Sequence, residues 1–133
     1  MRNLIDSAFA FQERALQVQA YRQQVLASNI ANADTPNYKA RDIDFASVLR
    51  QAQGAPGASL ARTSPGHLDA GGGNGMGGVR PQYRSAVQPS IDGNTVDTNI
   101  EQAQFAENAL HYMATLQFIN GKIQSTLAAL RTN

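Results

Sequence analysis

The sequence predicts a mainly α protein: two long terminal helices packed as an antiparallel coiled coil, with a loop-rich insert containing a short helix and a small β-hairpin. Three observations carry this fold class. Apolar residues recur at 4-3 spacing near both ends of the chain. Ten of the eleven glycines and four of the five prolines lie between Gly54 and Gly93. Most large apolar residues fall outside that window, so the two ends must build the core. At 133 residues the chain has the length of one domain. It divides into residues 1–35 (N-terminal helix), 36–97 (turn, short helix and Gly/Pro-rich insert) and 98–133 (C-terminal helix).

In the first helix, Leu4, Ala8, Phe11, Ala15, Val18, Arg22, Val25 and Asn29 follow at steps of four and three. Ile5, Phe9, Leu16, Leu26 and Ile30 form a flanking stripe. A period near 3.5 residues is that of a coiled-coil seam. No Gly or Pro precedes Pro36, and Ala, Gln, Leu and Arg favour helix, which gives a rod about 45 Å long. An ordinary amphipathic helix has a similar pattern, but this chain offers little else to form a globular core. Arg22 at a seam position either snorkels or pairs with a partner's acid. Asn29 either sets register as a buried amide or is solvated in the last turn.

The helix ends within Ser28-Asn29-Ile30-Ala31-Asn32-Ala33-Asp34-Thr35-Pro36-Asn37-Tyr38-Lys39. Pro36 has no N–H to continue a helix and pushes Thr35 towards extended geometry. It suits the second position of a turn, and Asn37 suits the third, where a left-handed conformation is needed. Residues 38–45 read as extended. Phe45, Val48, Leu49 and Ala52 recur at i, i+3, i+4 and i+7, a short helix capped by Asp44 and stopped by Gly54. Residues 54–90 read as a loop, with a conformationally free low-complexity run at 70–78. Within it residues 79–84 form a short strand that Pro81 confines to an edge. Asp92-Gly93 is a tight-turn signal between Ile91 and Thr95-Val96, and it predicts the hairpin.

The second long helix opens on a predicted capping box. Thr98 accepts from the Glu101 N–H, and the Glu101 side chain reaches back. Its seam is Ala109, Met113, Leu116, Asn120, Ile123, Leu127 and Leu130, with Phe105, Tyr112 and Ile119 beside it. Gly121 costs about 1 kcal/mol inside a helix relative to Ala, which a close helix–helix approach would explain. Asn120, like Asn29, is a candidate register residue.

A two-helix hairpin covers one stripe on each helix and leaves the other for a partner, and large exposed apolar patches mark association sites. The candidate assembly interface on the first helix and its turn is Phe11, Val18, Arg22, Val25, Asn29, Ile30, Asn32, Thr35, Pro36 and Tyr38. On the second helix it is Phe105, Tyr112, Met113, Leu116, Asn120, Ile123, Leu127 and Leu130.

Chemistry is sparse. A net charge of +1 gives no electrostatic footprint for nucleic acid. No run of about eighteen apolar residues predicts a membrane span. The N-terminus lacks the apolar region of a cleaved secretory signal. Cysteine is absent, so there are no disulfides. A chain of this kind placed outside the cytoplasm would need another export route. The glycine run lacks the GxxxxGK[ST] pattern of a phosphate cradle. His67 and His111, with no HExxH spacing, argue against a metal site. Asp42 and Asp44 share one face of an extended segment, and capping and solvation account for them. No catalytic, cofactor-binding or metal residue is nominated, and the chain is expected not to be an enzyme.

Ala27-Ser28-Asn29-Ile30-Ala31-Asn32-Ala33-Asp34-Thr35-Pro36-Asn37-Tyr38-Lys39 resembles the N-terminal signature of the bacterial flagellar axial proteins, commonly ANNIANxxTPGYK. Asn37 replaces the usual glycine and is the residue next most tolerant of positive φ. Ala40-Arg41-Asp42-Ile43-Asp44-Phe45, Asp92-Gly93-Asn94-Thr95-Val96-Asp97 and Gln104-Phe105-Ala106-Glu107-Asn108 through Tyr112 are similar to proximal members of the flagellar basal-body rod protein family. The likeness spans roughly residues 1–52 and 90–133 and leaves out the glycine-rich middle.

The resemblance implies a structural subunit whose terminal helices pack in the inner layer of a hollow helical tube. Such a subunit would transmit torque across the periplasm and line the export channel. It would leave the cell by the flagellar type III route without a cleaved signal. Its implied partners are copies of itself, other rod proteins, the FliE adaptor and the flagellar export gate. Two other readings are a sibling (FlgC-like) rod subunit and a coiled-coil adaptor that never polymerises. The sibling's Tyr-x-Ala-Asn signature is here Tyr112-Met113-Ala114-Thr115.

Overall fold

Helix α1 (Leu4–Ala31) is the central element, with the folded insert on one side and helix α3 (Thr98–Arg131) on the other. Between them come strand β1 (Arg41–Asp42), helix α2 (Phe45–Gly54) and strand β2 (Gln82–Tyr83). The computed structural model describes residues 4–54, 79–88 and 90–131. Most of the predicted loop, with its glycine run and His67, lies outside them, as do the side chains of Leu4, Ile5 and Ala8.

The end of α1 follows from its sequence. The helix stops at Ala31, before Pro36, and the Tyr38 N–H donates to the Thr35 carbonyl at 3.3 Å to close a turn. Asn37 has φ of 60°, the left-handed conformation its position requires. Asp44 caps α2, its Oδ1 accepting from the Ser47 N–H at 3.1 Å.

The start of α3 departs from the expected capping box. Asp97 is the cap: its Oδ1 accepts from the N–H groups of Asn99 (3.0 Å) and Ile100 (3.3 Å). Glu101 does not reach back, because its side chain is drawn into the interior and is 1% exposed. An ion pair and an amide there compete successfully for the carboxylate.

The small antiparallel sheet pairs β1 with β2, Arg41 opposite Tyr83 and Asp42 opposite Gln82. Pro81 immediately precedes β2, as an edge strand allows. No strand pair spans Asp92-Gly93. A turn does form there, with the Gly93 N–H on the Ser90 carbonyl at 3.1 Å and φ of 75° at Gly93. The residues after the turn instead bond to those after α1. Asn37 N–H donates to the Asp92 carbonyl (2.9 Å), and Thr95 N–H to the Tyr38 carbonyl (3.0 Å). The predicted local hairpin is thus replaced by a long-range clasp between the two turns.

The apolar core is small: Ala15, Val18, Leu26, Ala40, Ile43 and Val79 are buried, and Tyr21, Val25, Phe45 and Val48 pack around Val18, Ile43 and Val79. Full burial of such a side chain is worth roughly 1.5–3 kcal/mol. The seam residues Val18 and Val25 of α1 therefore face the insert. The α1–α3 contact is antiparallel. Asn29 meets Glu101, Gln19 meets Asn108, and Lys122 lies over the Phe9 ring at 5.2 Å.

On α3, the residues turned inward are Glu101, Phe105, Asn108, Tyr112, Thr115, Ile119, Lys122 and Thr126, again at 4-3 spacing. The stripe read as secondary (Phe105, Tyr112, Ile119) is the one that docks. The predicted seam lies about a quarter turn away at 100° per residue, and from Met113 onward it is exposed. Polar residues occupy five of these eight docking positions, so apolar content alone points to the wrong face. Gly121 is exposed, with nothing among the described residues within 4 Å of where a Cβ would stand, so no close approach among them explains it. No helix among the described residues is long and apolar enough to cross a membrane.

Candidate assembly surface

The exposed face of α3 carries Met113 (54% exposed), Leu116 (38%), Ile123 (40%), Leu127 (44%) and Leu130 (65%). They extend as one continuous stripe along the helix, with exposed Asn120 among them. Leu110 and Phe118 are exposed on other sides of the same helix. Leaving this much apolar surface in water is unfavourable at about 25 cal/mol per Å². An uncovered stripe rather than scattered single residues is the mark of a surface that another protein covers.

At the other end of the helix pair the chain secures its own geometry with polar side chains. Asn29, fully buried at the end of α1, uses all its hydrogen-bonding capacity. Its Nδ2 donates to the Arg41 carbonyl (2.7 Å) and to Glu101 Oε2 (3.0 Å). Its Oδ1 accepts from the Arg41 N–H (3.1 Å) and the Tyr38 hydroxyl (3.3 Å). Asn29 thus joins α1, β1 and α3 at one point. Burial rules out solvation in the last helical turn.

Arg22 pairs within its own chain. Its Nε and Nη2 hold Asp42 Oδ1 and Oδ2 at 2.8 and 3.0 Å, a bidentate pair, and Nη2 also donates to Gln104 Oε1 at 3.0 Å. Arg84, just after β2, donates to Asp42 Oδ2 (2.9 Å) and Glu101 Oε1 (2.5 Å). Burial alone would push the Asp42 carboxyl up. The hydrogen bonds from Arg22 and the Ile43 N–H, with the charges of Arg22 and Arg84, outweigh that and hold it below the ordinary value. The Asp42 hydrogen bond in turn raises the Arg22 guanidinium further.

The turn motif is held from a distance. Asn94 Nδ2 donates to the carbonyls of Asn32 (3.0 Å), Ala33 (2.8 Å) and Thr35 (2.8 Å), and Lys39 Nζ donates to the Gly93 carbonyl (2.6 Å). Asn32 itself bonds the Ser28 carbonyl (2.8 Å) and accepts from the Thr35 hydroxyl (3.1 Å).

The candidate residues therefore separate by location. Val18 and Asn29 are buried by the chain itself, while Arg22, Val25, Ile30, Tyr38, Phe105 and Tyr112 are partly covered. Asn32 is half-buried, and Thr35 and Pro36 are exposed on the turn. Phe11, Met113, Leu116, Asn120, Ile123, Leu127 and Leu130 are exposed, with Met113 and Ile123 at the edge of the groove beside α1. Asp42, Arg84, Asn94, Glu101 and Asn108 were not singled out for these structural roles from sequence. The usable signal was the 4-3 register that Glu101 and Asn108 share with Tyr112 and Ile119. Among the described residues, no group of three His, Cys, Asp or Glu converges as a metal ion requires.

Comparison with known proteins bears on the same segments. The family model described as "Flagella basal body rod protein" matches residues 9–39, which span most of α1 and its terminal turn. The chain is 46% identical to the flagellar basal body rod protein FlgB of Aeromonas hydrophila, over 95% of this chain and 94% of that one. It is 44% identical to the FlgB of Escherichia coli (strain K12) over 99% of both. It is 42% identical to that of Salmonella typhimurium over 98% of both. Because identity at this level runs through both long helices and the clasp that joins them, the chain belongs to the FlgB family of flagellar basal body rod proteins.

Proposed function

We propose that this chain is a structural subunit of the proximal rod of the flagellar basal body, self-assembling through its terminal helices. The role is structural, not enzymatic, as for its relatives, which are named as rod proteins. The observation that carries the assembly reading is the outward apolar stripe of α3, which nothing in the described chain covers. Neighbouring copies and other rod proteins would cover it, and the FliE adaptor and the export gate would abut the cell-proximal end. In this reading the assembled tube transmits torque across the periplasm and lines the export channel. The subunit reaches it by the flagellar type III route without a cleaved signal.

The test is cysteine cross-linking in isolated basal bodies from a strain in which this chain is the only copy of its kind. Cysteine at Leu116 or Leu127 should cross-link to a neighbouring rod subunit, and loss of the chain should abolish the rod and motility. A chain that forms one small defined complex, contributes no rod density and is dispensable for motility would be an adaptor, and the reading would be wrong.

A further inference from the structure

The contact between the first turns of α3 and the rest of the molecule is unusually polar, and its charges do not belong to α1 and α3 alone. Glu101 is 1% exposed, so its carboxylate needs compensation inside the protein. It receives two donors: Asn29 Nδ2 from α1 at 3.0 Å and Arg84 Nη1 from the insert at 2.5 Å. Only the second is a cation. Arg22 is committed elsewhere, to both Asp42 oxygens and to Gln104.

Arg84 is placed by the insert rather than by either long helix. It follows β2 directly, and its N–H donates to the Ala40 carbonyl at 2.9 Å. Val79, 3% exposed in the core, anchors the same segment. From there one guanidinium reaches Asp42, Glu101 and Gln104 together. Elsewhere on α1, Gln12 Oε1 and Gln19 Oε1 are buried with no hydrogen-bond partner among the described residues.

We propose that Arg84 is a latch that makes docking of the first turns of α3 conditional on the insert segment 79–84 being in place. With the segment seated, Glu101 is neutralised and α3 lies against α1. With it displaced, the buried carboxylate keeps one neutral donor and only the more distant charge of Arg22, and the start of α3 separates to rehydrate it. The docked position of α3, and with it the direction its apolar stripe faces, thereby becomes a property of the folded insert. The device operates within one chain and does not depend on whether that chain polymerises.

Hydrogen exchange on the full-length chain tests it, comparing wild type, Arg84→Met and the double variant Arg84→Met with Glu101→Gln. In Arg84→Met, amides of residues 101–108 should exchange faster by on the order of a hundredfold, the scale of leaving one member of a buried pair uncompensated. Amides of α2, held by the Val18–Ile43–Val79 core, should keep their wild-type protection. Neutralising Glu101 in the double variant should restore most of the protection at residues 101–108. Exchange there within about threefold of wild type in Arg84→Met would overturn the latch. Equal loss of protection in α2 and α3 that Glu101→Gln does not repair would also overturn it, showing Arg84 to be a general stabiliser.

Discussion

Asn94 closes the turn after helix α1 from 62 residues beyond Asn32, whose carbonyl its Nδ2 meets at 3.0 Å. The same nitrogen lies 2.8 Å from the carbonyls of Ala33 and Thr35, and Asn94 Oδ1 accepts from the Val96 N–H at 2.7 Å. The helix itself ends at Ala31, and one buried amide from the second turn serves the carbonyls of the turn that follows it. Asn94→Ala should lower unfolding free energy by about 2 kcal/mol, through unsatisfied carbonyls and the lost clasp. Asn94→Asp should cost more, because it aims a carboxylate at three acceptors. Urea denaturation followed by circular dichroism measures both.

The start of α3 gives a sharper contrast. Asp97→Ala removes the acceptor for the Asn99 and Ile100 N–H groups and should destabilise by about 1 kcal/mol. Thr98→Ala, which the sequence pattern marks as the damaging change, should stay within about 0.5 kcal/mol of wild type. Equal effects in the two variants would contradict the cap seen in the structure.

These cases show which parts of the fold local sequence carries. The end of α1, the left-handed Asn37, the Asp44 cap and the edge strand after Pro81 depend on a few adjacent residues, and each was legible. The partner of β2, the Asp97 cap and the buried role of Glu101 depend on competition between distant groups. Thr98-x-x-Glu101 is a sound capping box until Arg84 and Asn29 offer the carboxylate a better position. The two stripes of α3 were both visible, but hydropathy favours the more apolar one as the interior. The chain buries the mixed stripe, because Glu101 and Asn108 have polar partners on α1 and in the insert. The same inversion makes the exposed apolar face of α3 apparent only once the fold is known.

Acid should loosen the junction of insert and helices. The Asp42 carboxyl lies below its ordinary value because its hydrogen bonds and the arginine charges outweigh burial. A depressed carboxylate contributes stability that is fully present above its unfolded value, about 3.9, and lost as pH falls through the folded one. Stability should therefore drop more steeply below about pH 4 in wild type than in Asp42→Asn. The variant should be the less stable of the two at neutral pH, where Arg22 and Arg84 lose their shared anion. Denaturation midpoints at a series of pH values give both slopes.

The outward stripe of α3 makes the last prediction, because it separates folding from assembly on a single helix. Leu116 and Leu127 are 38% and 44% exposed, whereas Ile119, between them in sequence, is turned towards Phe9 and Leu16 of α1. Replacing Leu116 and Leu127 together by Ser removes apolar surface that the chain itself does not bury. Unfolding free energy should change by no more than about 1 kcal/mol, with helical content unchanged. Replacing Ile119 by Ser takes apolar surface from the helix contact and should cost about 1–3 kcal/mol. If the stripe is where neighbours pack, the Leu116/Leu127 variant should fold normally yet fail to enter basal bodies or restore motility. Ile119→Ser should lose function only as far as it loses folded protein. A normally incorporated Leu116/Leu127 variant would move the assembly surface elsewhere on the molecule, with the exposed turn at Thr35-Pro36 the next place to look.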